Sequence, residues 1–342
     1  MREFTQKVRN GNDLSYEEMT EAALFMFDER TPEGEVAEFL AALADKGETT
    51  YEVAALAEVT RGMAIVPEVP EAPYTDNCGT GGDGSDSFNI STTSAFVLAA
   101  AGVPVAKHGN RKISSRSGSS DVLEALGIGL EQDMEEASRQ LREEGIAFLF
   151  APRLHPKMKR IGQIRARLGR RTIFNLTGPL TNPVPLASQF TGISRNDFTM
   201  NYASVLRMQG RKRAIVVCGA GGMDEASLAG PNDFVLLDNG DLIPFTLEAE
   251  DVGLESAPLS ALKGGDGREN AEILRSVLGG ARGPKFDAVA FNAGIGLFAA
   301  GRAETAKEGV ELAKDIILSG KAMEKLESVI RFHKETKEAV TP

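Results

Sequence analysis

Between residues 67 and 73 the chain reads Pro67-Glu68-Val69-Pro70-Glu71-Ala72-Pro73. Each proline fixes its own φ, lacks a backbone donor and pushes the residue before it out of the helical region. Neither a helix nor a central strand can run through such a stretch, so it is a stiff extended connector. On its two sides the hydrophobic pattern has different periods. Before it, Ser15 and Glu18 have capping-box spacing ahead of Met19, Ala22, Ala23 and Met26. Thr31-Pro32 reads as an N-cap followed by a first-turn proline, Val36, Phe39, Leu40 and Leu43 share one face, and Gly47 closes that helix. A third helix is expected over about 51–65. Residues 1–70 therefore form a small helical domain.

Beyond the connector, short apolar runs alternate with helical stretches. Residues 103–106, 146–150, 214–218, 234–237 and 288–291 read as strands. Helices are expected at about 92–101, 119–127, 133–144, 196–209, 268–279 and 303–335. This alternation predicts an α/β domain over 74–342 with a mainly parallel central sheet. In such sheets ligands gather beyond the carboxyl ends of the strands.

The chemistry concentrates in two glycine-rich turns. In Cys78-Gly79-Thr80-Gly81-Gly82-Asp83-Gly84, the absence of side chains lets backbone N–H groups approach phosphate oxygens. The turn has no Gly-Lys-Ser/Thr ending and no dinucleotide-type glycine spacing, and taken alone it is equally a tight turn without a ligand. Asn89-Ile90-Ser91-Thr92 follows at the start of a predicted helix, where anions are held by free N–H groups and the helix dipole. Far downstream, Asp224-Glu225 closes Gly221-Gly222-Met223 and supplies two hard oxygen ligands suited to Mg²⁺. The two turns together indicate an enzyme acting on a metal-bound phosphate or diphosphate ester.

Lys107-His108-Gly109-Asn110-Arg111 follows a predicted strand, with hydroxyls at Ser114, Ser115, Ser117, Ser119 and Ser120 beyond it. A cluster of charge is commonly a solvated face. Its place after a strand favours an anion pocket, with Ser119 opening the next helix. His155 precedes Pro156, and Arg165 lies ten residues on in an amphipathic helix, where a lone arginine is commonly surface. His333, on a charged helix, is expected at the surface. Histidine and cysteine lack zinc spacing, and no Ser-His-Asp arrangement stands out.

A net charge of −11 and a pI near 5.0 argue against a nucleic-acid binder. The two cysteines, Cys78 and Cys218, make no disulfide framework and suit a reducing compartment. Cys78 reads as a small half-buried residue rather than a nucleophile. The start of the chain has no apolar signal-peptide core, and no apolar run reaches membrane-spanning length. The protein is expected to be cytoplasmic, with no membrane or nucleic-acid partner.

Taken together, Gly79–Asp83, Asn89–Thr92, Lys107–Arg111, Ser117–Gly127, Arg171–Pro183 and Asp224-Glu225 resemble anthranilate phosphoribosyltransferases in order and spacing. Gly264-Gly265-Asp266, Glu269-Asn270 and Phe291-Asn292-Ala293 look like the same family. The resemblance implies a pyrimidine nucleoside phosphorylase-like fold, a helical domain joined by part of 170–190 and hinged to the α/β domain, and a homodimer. It implies transfer of a phosphoribosyl group from 5-phosphoribosyl 1-diphosphate to the anthranilate amine. That amine is already neutral, so no residue is needed as an obligatory acid or base. By resemblance Gly79, Gly82, Asp83, Ser87, Asn89, Ile90, Ser91, Thr92, Lys107, Ser115 and Ser119 bind the donor. Gly79, Asn110, Arg165, His108 and His155 receive anthranilate. Ser91, Asp224 and Glu225 hold Mg²⁺, two ions per subunit. Ser87, Ser120 and Met223 stand where the family commonly has threonine, alanine and leucine, which bears on affinity alone. Two alternatives share the pattern: a nucleoside phosphorylase of this fold, and a non-catalytic nucleic-acid-binding relative. The acid pair speaks against the first, and the acidic balance against the second.

Overall fold

The structure, a computed structural model, describes residues 1–110, 118–130 and 132–340. Four helices come first: α1 (Arg2–Arg9), α2 (Tyr16–Phe27), α3 (Glu33–Lys46) and α4 (Thr50–Gly62). The Ser15–Glu18 capping box forms as expected, Ser15 N–H donating to Glu18 Oε2 and Glu18 N–H to Ser15 Oγ. A second box, Thr49 with Glu52, starts α4. Gly47 ends α3 with φ of 91°, a conformation that favours glycine. Thr31 does not cap α3, whose N-cap position is Pro32.

The rest of the chain alternates: β1 (Tyr74–Asp76), α5 (Ile90–Ala100), β2 (Val105–Gly109), α6 (Ser119–Ala125), α7 (Met134–Glu144), β3 (Ile146–Phe150) and α8 (Ala151–Leu154). Then come α9 (Met158–Leu168), α10 (Phe174–Thr177), β4 (Leu186–Gly192), α11 (Thr199–Met208), β5 (Arg213–Cys218), β6 (Asn232–Asp238) and β7 (Asp241–Leu247). Four helices close the chain: α12 (Gly267–Leu278), α13 (Pro284–Ala299), α14 (Ala306–Leu318) and α15 (Lys321–Val340).

The seven strands form one sheet in the order β3-β2-β1-β4-β5-β6-β7. The first five in that order pair in parallel, and β6 and β7 add antiparallel. From β1 the chain winds outward through β2 and β3, then returns on the other side as β4. That reversal leaves a crevice at the carboxyl ends of β1 and β4. Along β5 the side chains alternate faces, as a strand requires. Ile215 and Val217 join the large core with α5 and α12–α15. Ala214 and Val216 join a second core with α1–α4, α9, α10 and α11. One sheet thus serves two helical layers, and Ile161, Phe174, Leu176 and Tyr202 belong to the layer that contains the N-terminal helices.

Several expectations are corrected. Ala288–Phe291 is no strand but the middle of α13, buried on every face. A helix with no polar side shows no 3.6-residue alternation, so the apolar run imitated a strand. The span 303–335 is two helices, broken at Gly320 with φ of 83°. β1, β4 and β7 were not anticipated. His333 is buried, 4% exposed, and its Nδ1 accepts from Gly129 N–H at 3.3 Å. Burial, then the Lys337 charge, push its pKa down to about 4.

Candidate functional site

The ends of β1, β2, β4 and β5 open into a cleft of about 630 Å³, faced across the gap by residues of α4, α9 and α10. The glycine turn follows β1, and the acid pair follows β5. Glycine brings them together: a Cβ on Gly79 would lie 2.3 Å from Asp224 Oδ2, and one on Gly192, the last residue of β4, 1.8 Å from the Asp224 carbonyl oxygen. Gly81 N–H donates to Asp224 Oδ2 at 2.6 Å. Asp224 N–H donates to Asp83 Oδ2 at 3.4 Å, and Ser91 N–H, in the first turn of α5, to Glu225 Oε1 at 3.1 Å. The acid pair therefore rests on backbone donors of the kind that hold anions.

Asp224 is lifted well above the usual carboxylate range by burial, then by the Asp83 charge. Glu225 is lifted by burial and then by Asp224, with Lys107 opposing. Asp83 and Glu225 both add negative charge beside Asp224, and Lys107 opposes the shift only at Glu225. A hard divalent cation fits this donor set. Among the described residues no three His, Cys, Asp or Glu side chains form a complete metal cage. Mg²⁺ keeps waters and takes substrate phosphates as ligands, so one or two carboxylates are what a protein ordinarily supplies to it.

Buried polar residues hold the parts in register. Asp76, at the end of β1, accepts from Cys78 N–H (3.1 Å), His108 N–H (3.3 Å) and Asn182 Nδ2 (2.9 Å). Lys107, 2% exposed, donates to the Asn77 carbonyl and Oδ1, both at 3.2 Å, while Asn77 Nδ2 donates to Ser91 O at 2.8 Å. From α13, Asn292 takes both backbone bonds of Ala226, next to Glu225: Oδ1 accepts its N–H and Nδ2 donates to its carbonyl, each at 2.8 Å. Arg171 donates to Gly82 O across the cleft mouth.

At the other end of the cleft the His108 and His155 rings pack edge to face, 5.2 Å between centroids. His108 Nδ1 lies 3.2 Å from Gly178 O, and burial, then His155, push its pKa to about 3. Burial also lowers His155. Both rings are neutral at pH 7. Arg165 is half-buried rather than exposed, its Nη2 donating to Asn175 Oδ1 at 3.2 Å and its Nε without a partner.

Gly79, Gly82, Asp83, Ser87, Asn89, Ile90, Ser91, Thr92, Lys107, His108, Asn110, Ser119, His155, Arg165, Asp224 and Glu225 all line this one cleft. Ser115 lies outside the described residues. Sequence reasoning missed Asp76, Asn77 and the parts played by Asn182 and Asn292. For Asp76 and Asn77 the available signal was adjacency to the glycine turn. Asn292 directly follows the mistaken strand, and its part depends on its place in α13, which turns it toward Ala226.

Residues 71–323 match the family model for the glycosyl transferase family, a/b domain, and residues 2–64 its helical bundle domain. The two matches together define a glycosyl transferase with a helical bundle domain and an a/b domain. The anthranilate phosphoribosyltransferase of Exiguobacterium sibiricum is 54% identical over 335 residues, 98% of this chain and 99% of that protein. That of Listeria monocytogenes serovar 1/2a is 56% identical over 330 residues, 96% of this chain and 97% of that protein. The crystal structure of the Thermus thermophilus enzyme matches with a TM-score of 0.90 at 41% identity, covering 97% of this chain and 99% of that one. The Saccharomyces cerevisiae enzyme in complex with PRPP and Mg matches at 0.88 with 27% identity, 97% of each chain covered. The chain belongs to the anthranilate phosphoribosyltransferase family.

Proposed function

We propose that the chain transfers the phosphoribosyl group of 5-phosphoribosyl 1-diphosphate to the amine of anthranilate, releasing diphosphate and N-(5-phosphoribosyl)anthranilate. The observation that carries this reading is the polarity of the cleft. One end has glycine-turn N–H groups, the start of α5, Lys107 and the acid pair; the other has two neutral imidazoles and Arg165. A diphosphate ester suits the first end. An aromatic ring bearing a carboxylate suits the second, the ring against His108 and His155 and the carboxylate toward Arg165.

Gly79, Gly82, Asp83, Ser87, Asn89, Ile90, Ser91, Thr92, Lys107, Ser115 and Ser119 are assigned to the donor, and Gly79, Asn110, Arg165, His108 and His155 to the acceptor. Ser91, Asp224 and Glu225 would hold Mg²⁺, two ions per subunit, and the metal would offset charge on the departing diphosphate. The chain itself then has to hold the amine in line with the ribose carbon and exclude water. No side chain is required as a general base. The same reading takes 1–70 and 74–342 as domains hinged about the cleft, in a cytoplasmic homodimer. No helix among the described residues is long and apolar enough to cross a membrane.

The test is loss of anthranilate fluorescence with purified protein, the donor and Mg²⁺, with EDTA as control. A decay that needs all of these is expected. No decay from folded protein would overturn the assignment.

A further inference from the structure

The Gly264-Gly265-Asp266 segment borders the phosphate end of the cleft from behind. Phe88 N–H donates to Leu262 O and Gly264 N–H to Asp86 O, each at 2.9 Å, so the segment pairs with the loop that carries Asn89. A Cβ on Gly264 would lie 2.7 Å from Phe88 Cα and 2.5 Å from Asn270 Oδ1. Asp266 caps α12, accepting from Arg268 N–H at 2.9 Å and Glu269 N–H at 3.0 Å. That cap sets Asn270 in the first turn, 2% exposed.

The two ends of a side-chain amide look alike, so which atom points where has to follow from its partners. Here the partners decide it. Gly265 N–H can only donate, and it meets the Asn270 side chain at 2.8 Å, so that atom is Oδ1. The other end of Asn270 is then Nδ2, which lies 2.8 Å from the Asn89 side chain, so Asn89 presents its Oδ1 there. The remaining Asn89 atom, Nδ2, is left for the cleft that Asn89 lines.

We propose that Asn270 is a positioning residue for the phosphoribosyl donor, locking Asn89 so that it offers an N–H, not a carbonyl, to a phosphate oxygen. The inference rests on the reading of the cleft given above. An unheld asparagine presents either end at similar cost, and a carbonyl facing a phosphate repels it. Asn270 removes the unproductive half of those orientations before the ligand arrives.

The test uses the full chain, with calorimetric titration of 5-phosphoribosyl 1-diphosphate and Mg²⁺ and steady-state kinetics for both substrates. Asn270→Asp still accepts from Gly265 but has no N–H for Asn89. It should weaken donor binding about tenfold, the scale of one charge-assisted hydrogen bond, with anthranilate KM within about twofold. In an Asn89→Ala background Asn270→Asp should weaken binding no further. Asn89→Asp, which turns an acceptor toward phosphate, should bind the donor at least about tenfold more weakly than Asn89→Ala. This pair lies on the cleft wall and stays informative if Asn270→Asp does not fold. Equal affinity of the two Asn89 variants, or a full further loss from Asn270→Asp on top of Asn89→Ala, would overturn the proposal. Wild-type protein that binds no donor would overturn the functional reading, and this inference with it.

Discussion

Arg165 illustrates how far a single residue can be read. Its guanidinium sits over the Phe174 ring, 5.7 Å from the centroid, and is steered by Asn175, so its charge is aimed into the cleft rather than at solvent. Arg165→Ala should raise the anthranilate KM about 10- to 100-fold, as for loss of a hydrogen bond between charged groups, and the donor KM far less. Steady-state kinetics with each substrate varied would show it; equal effects on both would remove the assignment. Spacing alone left Arg165 as an ordinary surface arginine, and the resemblance gave it a role. The glycine turn and the Asp224-Glu225 pair were legible only in combination, since the turn alone is equally a tight turn without a ligand. Asn182 and Asn292 were not, because a buried polar residue of this kind takes its meaning from partners more than 60 residues away. His333 failed for the same reason, its charged helix concealing one inward face.

Among the elements, the β4 end and the Asp224 loop depend most on close approach. Gly192 has no room for even one methyl group against the Asp224 carbonyl oxygen. Gly192→Ala must therefore push the Asp224 loop off the sheet, costing about 2–3 kcal/mol by overpacking. A lower urea midpoint together with a weaker response of turnover to Mg²⁺ is the expected pair of results. An unchanged midpoint would show that the loop yields freely. Neither β4 nor β1 could be seen in the sequence. β1 has three residues, too few for a period, and β4 reads Leu-Ala-Ser-Gln-Phe-Thr-Gly, more polar than a central parallel strand ordinarily is. Gln189, fully buried in it, donates to Pro179 O and so carries a polar contact where an apolar one was sought.

At the scale of the molecule, charge burial shapes stability. All three histidines are buried with lowered pKa values, while Asp224 and Glu225 are raised. A histidine held below its unfolded value near 6.5 supports the fold above that pH and loses its contribution as pH falls toward the folded value. The raised carboxylates work oppositely, so His333 is best isolated by difference. Between pH 7 and 5, wild type should lose about 1–2 kcal/mol relative to His333→Gln, read from urea unfolding at both pH values. A constant difference would refute the linkage. The two-part organisation itself was legible from the proline-rich connector. What the connector concealed is that the sheet is shared, so that Ile161, Phe174, Tyr202 and Val216 pack in the same core as the first four helices.

That shared core has a consequence for synthesis. Helices α1–α4 leave the ribosome well ahead of α9, which packs on α2 and α3, and of α11, whose Tyr202 and Leu206 share their core and which packs on α4. At 5–20 residues per second the interval is on the order of ten seconds. For that time the N-terminal helices have an uncovered apolar side, and their folding is completed by segments that do not yet exist when they emerge.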